Sequence, residues 1–238
     1  MGDTTVNVAA AERNPLRALT FRQGDLALCA FILFTASIRA VNGFGAARDG
    51  DILLTLNHTI VAIAMLINAV LCLMRGPAIA RSRGWLIPVI AISGGYLANG
   101  VAILPMTWQP DWLIAGTTLL VTLSYTVIIW ALLTLRRSFS VFPEARKLIT
   151  HGPYRYIRHP LYAGYFVTYV CFALPRLSVW AIAVCAAGIG CEVWRALQEE
   201  KILRQNFPDY DAYAARTPRF LPRLAGFGSA AVKREPVG

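Results

Sequence analysis

Long apolar stretches separated by short basic ones set the plan of this chain. Residues 25–41 are almost uniformly apolar until Arg39, whose long side chain can snorkel to the far interface. Residues 42–51, rich in Gly and Asp, read as a loop, and Ile52–Met74 as a second span of full bilayer length. Residues 85–104 make a third span, which Pro88 and the Gly94-Gly95 pair kink or draw close to a neighbour. Trp108 and Trp112 stand as interfacial anchors before a fourth, residues 112–135. A polar loop follows over 136–159, then two shorter apolar runs, 160–174 and 177–194, joined by a Pro175-Arg176 turn. Their length suits a helical hairpin that tilts or stops short of the far face. The pattern predicts an all-α, polytopic membrane bundle of about six apolar segments. It divides into a tail (1–24), a four-helix membrane region (25–135), a region of loop, hairpin and terminal helix (136–222) and a flexible tail (223–238).

Composition agrees, with 56% hydrophobic and 15% charged residues and a mean hydropathy of +0.51, so the solvent for most of this chain is lipid rather than water. The net charge of +10 raises the question of nucleic acid. Its basic residues alternate with membrane-length runs, however, so anionic lipid headgroups are the expected partner and nucleic acid is not. Of the 23 Lys and Arg residues, three lie in the amino-terminal tail, three at positions 75–83, six between Arg136 and Arg158, and eight from Arg195 onward. By the positive-inside rule both termini and the central loop face the cytoplasm. Cys29, Cys72, Cys171 and Cys185 lie inside apolar runs and Cys191 ends one, with no CxxC pair. They read as small core residues, without a disulfide framework or a zinc or other metal site. No removable signal peptide is expected, because the first apolar run lacks a small-residue cleavage site and is followed by several more.

Chemistry concentrates in two polar stretches. Residues 148–164, LITHGPYRYIRHPLYAG, place two histidines, two arginines and three tyrosines between apolar runs, an expensive composition at a bilayer surface. Gly152-Pro153 forces a turn, and Pro160 sits where a helix starts, at a position that needs no amide proton. A helix amino-terminus beside Arg155 and Arg158 favours a carboxylate or phosphate, although the same arginines equally suit lipid phosphates. The second stretch, 191–222, reads CEVWRALQEEKILRQNFPDYDAYAARTPRFLP. It puts Glu192, Arg195 and Glu199 on one helical face, the spacing of a surface ion pair or of a site at the membrane edge.

HGPYRYIRHPLYAG, an apolar hairpin, WRALQEEKIL, FPDYDAY and a closing PRFLP together resemble the isoprenylcysteine carboxyl methyltransferase family and its bacterial relatives, a group similar to phospholipid methyltransferases. The resemblance covers roughly residues 136–222. It implies an integral-membrane enzyme of a bacterial cell membrane that uses S-adenosyl-L-methionine without a Rossmann domain, and makes 136–222 the catalytic region. By the same resemblance, cofactor contacts fall on Arg146, Lys147, Leu148 and Ile149, on Tyr154, on His159, Pro160, Leu161 and Tyr162, and on Glu199. Arg195 is the implied catalytic residue, handling substrate. S-Adenosylmethionine carries a carboxylate, an ammonium, a sulfonium and an adenine, which call for donors, an acidic group and aromatic walls.

The implied acceptor is a lipophilic small molecule or lipidated substrate taken from the bilayer. Here the strip reads RKLI and the ending FPDY, which departs from the prenylcysteine enzymes and leaves the acceptor open. A carboxylate acceptor needs no base. An amine or thiol does, with His151, Tyr154 and Glu192 as candidates, whereas His58 reads as a hydrogen-bonded helix-packing residue. Two other readings remain: a sterol-reductase-like oxidoreductase using NADPH, and a non-catalytic membrane or lipid-binding scaffold.

Overall fold

The computed structural model describes residues 15–74, 78–81 and 104–222, and, between them, short helical pieces at 89–90, 93–94, 97–98 and 101. Most of the third apolar run therefore lies outside the described residues. The first helix, α1 (Pro15–Arg48), starts within the stretch the pattern assigns to a tail and continues through residues 42–48, which the pattern assigns to a loop. Glycine breaks helices in water, but between membrane helices it is a contact surface. At Gly43 an added Cβ would lie 3.1 Å from the Cβ of His58 on the next helix. The actual turn is only Asp49 to Asp51. Gly50 supplies its left-handed residue at φ +77, and the carboxylate of Asp51 caps the following helix by accepting from the Leu54 N–H at 2.9 Å.

Helix α2 (Ile52–Met74) has the bounds the hydropathy pattern predicts. Its Asn57 side chain donates to the Thr118 carbonyl at 3.3 Å and the Thr122 hydroxyl at 3.0 Å, tying it to α3 (Asp111–Leu135). His58 packs against α1 as expected of a spacing residue, yet its buried Nδ1 has no hydrogen-bond partner. A two-residue antiparallel pair, β1 (Ala80–Arg81) with β2 (Glu144–Ala145), interrupts an otherwise helical molecule. Helix α4 (Pro160–Ala173) is 14 residues long, about 21 Å against the roughly 30 Å of a hydrocarbon core. It ends in a 3-10 turn, Leu174–Arg176. There Arg176 donates to the carbonyls of Leu104 and Phe172, each at 3.0 Å, while the Pro175 carbonyl accepts from the Thr107 and Trp108 amides. The hairpin tip is thus tied to the turn that carries the Trp108–Trp112 edge-to-face pair. Helix α5 (Val179–Asn206) starts with Ser178 accepting from the Ala181 N–H, and α6 (Tyr210–Arg216) closes the order.

Among the described residues, four helices are long and apolar enough to cross a membrane: Leu28–Arg48, Ile52–Met74, Asp111–Ser138 and Val179–Asn206. Large apolar side chains such as Phe34, Leu66, Leu73, Leu123 and Trp130 stand exposed along them. Such a surface would be a liability in water and is the matched face in lipid, so this is a membrane protein.

Two glycines set how closely the hairpin packs. Gly164 on α4 faces Ile128 of α3, where a Cβ would approach Ile128 Cγ1 to 2.7 Å. Gly188 on α5 leaves room for the ring of Tyr169, which is fully buried and whose hydroxyl donates to the Gly94 carbonyl at 2.6 Å. Gly188→Ala would drive a methyl into that ring, and overpacking of this kind costs about 3 kcal/mol. Thermal unfolding in detergent is expected to show a clear loss of stability for Gly188→Ala and little for Gly190→Ala, whose Cβ would meet nothing within 4 Å.

Candidate active site

The motif around residue 152 is shaped by one glycine. Gly152 adopts φ +60, and a Cβ there would sit 2.8 Å from the Thr134 hydroxyl at the end of α3, so both conformation and space exclude a side chain. Pro153 then opens the 3-10 turn Gly152–Arg155. The turn buries Tyr154, whose backbone carbonyl accepts from the Tyr213 hydroxyl at 2.6 Å. Pro160 begins α4 as the spacing predicts. The two amides before it are already occupied: Arg158 and His159 donate to the carbonyls of Pro218 and Arg219 at 2.8 and 3.0 Å. The closing PRFLP therefore runs as a strap along the motif, with Phe220 against the rings of His159 and Phe166.

Two consecutive carboxylates on α5 have opposite duties. Glu200 is buried and faces basic partners: His159 Nε2 at 3.1 Å, Arg158 at 3.1 Å, and Arg219 through a forked pair at 2.9 and 2.8 Å. Arg158 also reaches the Tyr210 hydroxyl at 3.3 Å. Its role is thus internal, which weighs against the headgroup-holding alternative for this arginine. Arg155, by contrast, is exposed. Glu199 accepts a hydrogen bond from the Tyr162 hydroxyl through Oε1. Its Oε2 lies 3.9 Å from His159 Nδ1, too far for a hydrogen bond, and so stays open to the cavity.

Arg195 is held on three sides. Nη1 donates to Glu192 at 2.9 Å, Nη2 to the Val141 carbonyl at 2.6 Å, and the guanidinium lies 5.0 Å over the ring of Tyr162. Nε is buried with no partner. Helical spacing brings Glu192 and Arg195 together as expected, but as a buried pair rather than a surface one, with Glu192 fully inaccessible and against Gly94.

Several of these groups line a cavity of about 150 Å³. Arg146, Lys147, Leu148, Ile149, Tyr154, His159, Leu161, Tyr162, Arg195 and Glu199 all line it. Pro160 does not: it is buried at the start of α4 and shapes the wall from behind. Arg146 is engaged by Glu144 at 2.6 Å. Burial, reinforced by the Glu199 charge, pushes the Tyr154 phenol well above its usual range, so it serves as a neutral donor and not as a base. Glu192 and His151 are not at the cavity.

Sequence reasoning missed the other half of the cavity. From Leu135 it follows α3 through Leu132 and Ile128 to Tyr125, about 15 Å along the helix, against Ile32 of α1 and Ala64, Met65 and Asn68 of α2. Glu200, Arg219 and Tyr213 were also not singled out. The Glu-Glu pair and the PRFLP ending carried a signal for the first two, read then only as motif letters.

Residues 111–210 match the family model of phospholipid methyltransferases, so over residues 136–210, where the two coincide, the resemblance read from the motifs holds. An 87-residue stretch, 36% of the chain, is 38% identical to the nickel-cobalt-cadmium resistance protein NccN of Alcaligenes xylosoxydans, covering 41% of that protein. A 123-residue stretch, 50% of the chain, is 31% identical to the cobalt-zinc-cadmium resistance protein CzcN of Cupriavidus metallidurans, covering 55% of it. The matches thus span about half or less of these relatives. Among the described residues no three side chains of His, Cys, Asp or Glu stand close enough to hold a metal ion.

Proposed function

We propose that this protein transfers a methyl group from S-adenosyl-L-methionine to a lipophilic or amphipathic acceptor at the cytoplasmic face of the membrane. The observation that carries this reading is a single cavity joining the polar residues of the 146–162 motif and of α5 to an apolar shaft inside the helix bundle. The match of residues 111–210 to phospholipid methyltransferases supports the reaction class. The excess of Lys and Arg at the cavity end supports the cytoplasmic face.

The residues present suit such a cofactor. The open oxygen of Glu199 meets a positive or hydroxyl-bearing part, the 146–149 strip supplies basic and apolar groups, and Tyr154 and Tyr162 supply aromatic walls. When bound, S-adenosylmethionine supplies the methyl group, whose bond to sulfur breaks as a lone pair of the acceptor forms the new bond. The protein's task is alignment and exclusion of water. Arg195, fixed by Glu192 and Val141 and lining the cavity, would orient an anionic acceptor through its charge. A carboxylate acceptor gives up no proton. Of the candidate bases, Tyr154 is held neutral and Glu192 and His151 stand away from the cavity, which favours the acceptor that needs no base.

Purified protein in detergent is expected to bind S-adenosylmethionine in calorimetry, with binding lost in Tyr154→Ala. Membranes carrying the protein are expected to yield a labelled lipid-soluble product from methyl-labelled cofactor. Folded protein that binds none would refute the reading. Arg195→Lys is expected to keep cofactor binding and to lower turnover about a hundredfold, the loss seen when one oriented donor is removed from a developing charge. Unchanged turnover would return Arg195 to a purely structural role.

A further inference from the structure

In the apolar shaft one side chain is out of keeping. Asn68 sits on α2 amid residues that meet lipid or core, and lines the cavity between Ala64 and Met65 on its own helix and the Ile128–Leu132 face of α3. Its Oδ1 is buried and accepts no hydrogen bond among the described residues. The other asparagine of α2, Asn57, spends its Nδ2 in joining α2 to α3, so helix packing accounts for that one and not for Asn68. A carboxamide in a bilayer span is costly unless something answers it. Asn68 lines the part of the cavity that an acceptor's hydrocarbon portion would fill. Along α2, Asn68 lies six residues before Met74, roughly 9 Å from the helix end.

We infer that Asn68 is a specificity-determining contact, accepting a hydrogen bond from a donor carried on the lipophilic arm of the methyl acceptor, a hydroxyl or an amide N–H set some way from the methylated group. This rests on the methyl-transfer reading for the identity of the occupant. It narrows the acceptor from any apolar chain to a lipid with a second polar group along its length. A purely hydrocarbon arm would leave Oδ1 unanswered and would be disfavoured, because a site built to hydrogen-bond rejects the analogue that lacks the group.

The test uses the full chain in lipid nanodiscs. The probes are ω-hydroxylated fatty acids and fatty amines of graded length, each against its unhydroxylated counterpart, with bound probe counted by native mass spectrometry. At the length that reaches Asn68, the hydroxylated probe is expected to bind about tenfold more tightly than its counterpart, equivalent to ~1.4 kcal/mol. Asn68→Leu, which keeps the branching at Cγ and removes the amide, is expected to abolish that preference while leaving binding of the unhydroxylated probe unchanged or stronger. No preference at any length in the native protein, absence of binding included, or a preference that survives Asn68→Leu, overturns the inference. Calorimetry with S-adenosylmethionine on the same preparations separates the two claims. Lost cofactor binding with a retained hydroxyl preference would remove the methyl-transfer reading alone, and retained cofactor binding without the preference would remove the subsite alone.

Discussion

Glu200→Ala is expected to release the carboxy-terminal strap and destabilise the protein by about 3 kcal/mol, because removing one partner of a buried ionic cluster leaves the others unanswered. The Glu200 carboxylate is 2% exposed and contacts Arg158, His159 and both arms of the Arg219 fork. The Arg219 side chain keeps 41% of its exposure and can return to water, which holds the loss to the lower end of the range. Arg158, with 12% exposure and an already unpartnered Nε, cannot. The substitution also frees the imidazole that stacks on Tyr162 and Phe220. Thermal unfolding in detergent is expected to shift down sharply, and trypsin to cut faster at Arg216 and Arg219. Glu200→Gln keeps the hydrogen-bonding shape and should lose less; Arg219→Ala should lose about 1 kcal/mol, as a half-exposed pair does. If Glu200→Ala unfolds and is cut at the native rate, the cluster is not what fastens the strap.

Local pattern predicted those parts of the fold whose causes are local. Ile52–Met74 is a long apolar run with Asp51 before it and basic residues after it, so length and cap fix its ends. Pro160 opens α4 for the same kind of reason. Residues 42–48 went the other way: Gly43 signals a break when read alone and a helix contact once His58 stands opposite it. That neighbour is invisible along the chain. The site divides similarly. The motif resemblance named His159, Tyr162, Arg195 and Glu199, and all four line one cavity. It did not show that the next carboxylate, Glu200, faces the strap, because that depends on where Arg219, 19 residues further on, comes to lie. Nor could it single out Asn68, one polar letter in an apolar run whose meaning depends on what α1 and α3 place beside it.

Of the two carboxylates, Glu199 is the one expected to matter for ligand rather than for fold. Glu144 also lines the cavity, but it is tied to Arg146 and to the Ser140 hydroxyl. Glu199 gives one oxygen to Tyr162 and keeps the other for the cavity, with its side chain 20% exposed. Glu199→Gln keeps the shape and the bond to Tyr162 but removes the charge. Loss of a buried charge partner costs a few kcal/mol of binding, so affinity for S-adenosylmethionine should fall about a hundredfold, ~2.7 kcal/mol. Tyr162→Phe removes only the hydrogen bond that aims the carboxylate. At about 1 kcal/mol for one such bond, it should weaken binding roughly fivefold. The unfolding temperature separates the two roles: Glu199→Gln should leave it near the native value, where Glu200→Ala does not. Calorimetry giving Glu199→Gln the native affinity would move the cofactor's positive group elsewhere, and with it the argument that the α5 carboxylate and the 146–162 motif grip one molecule between them.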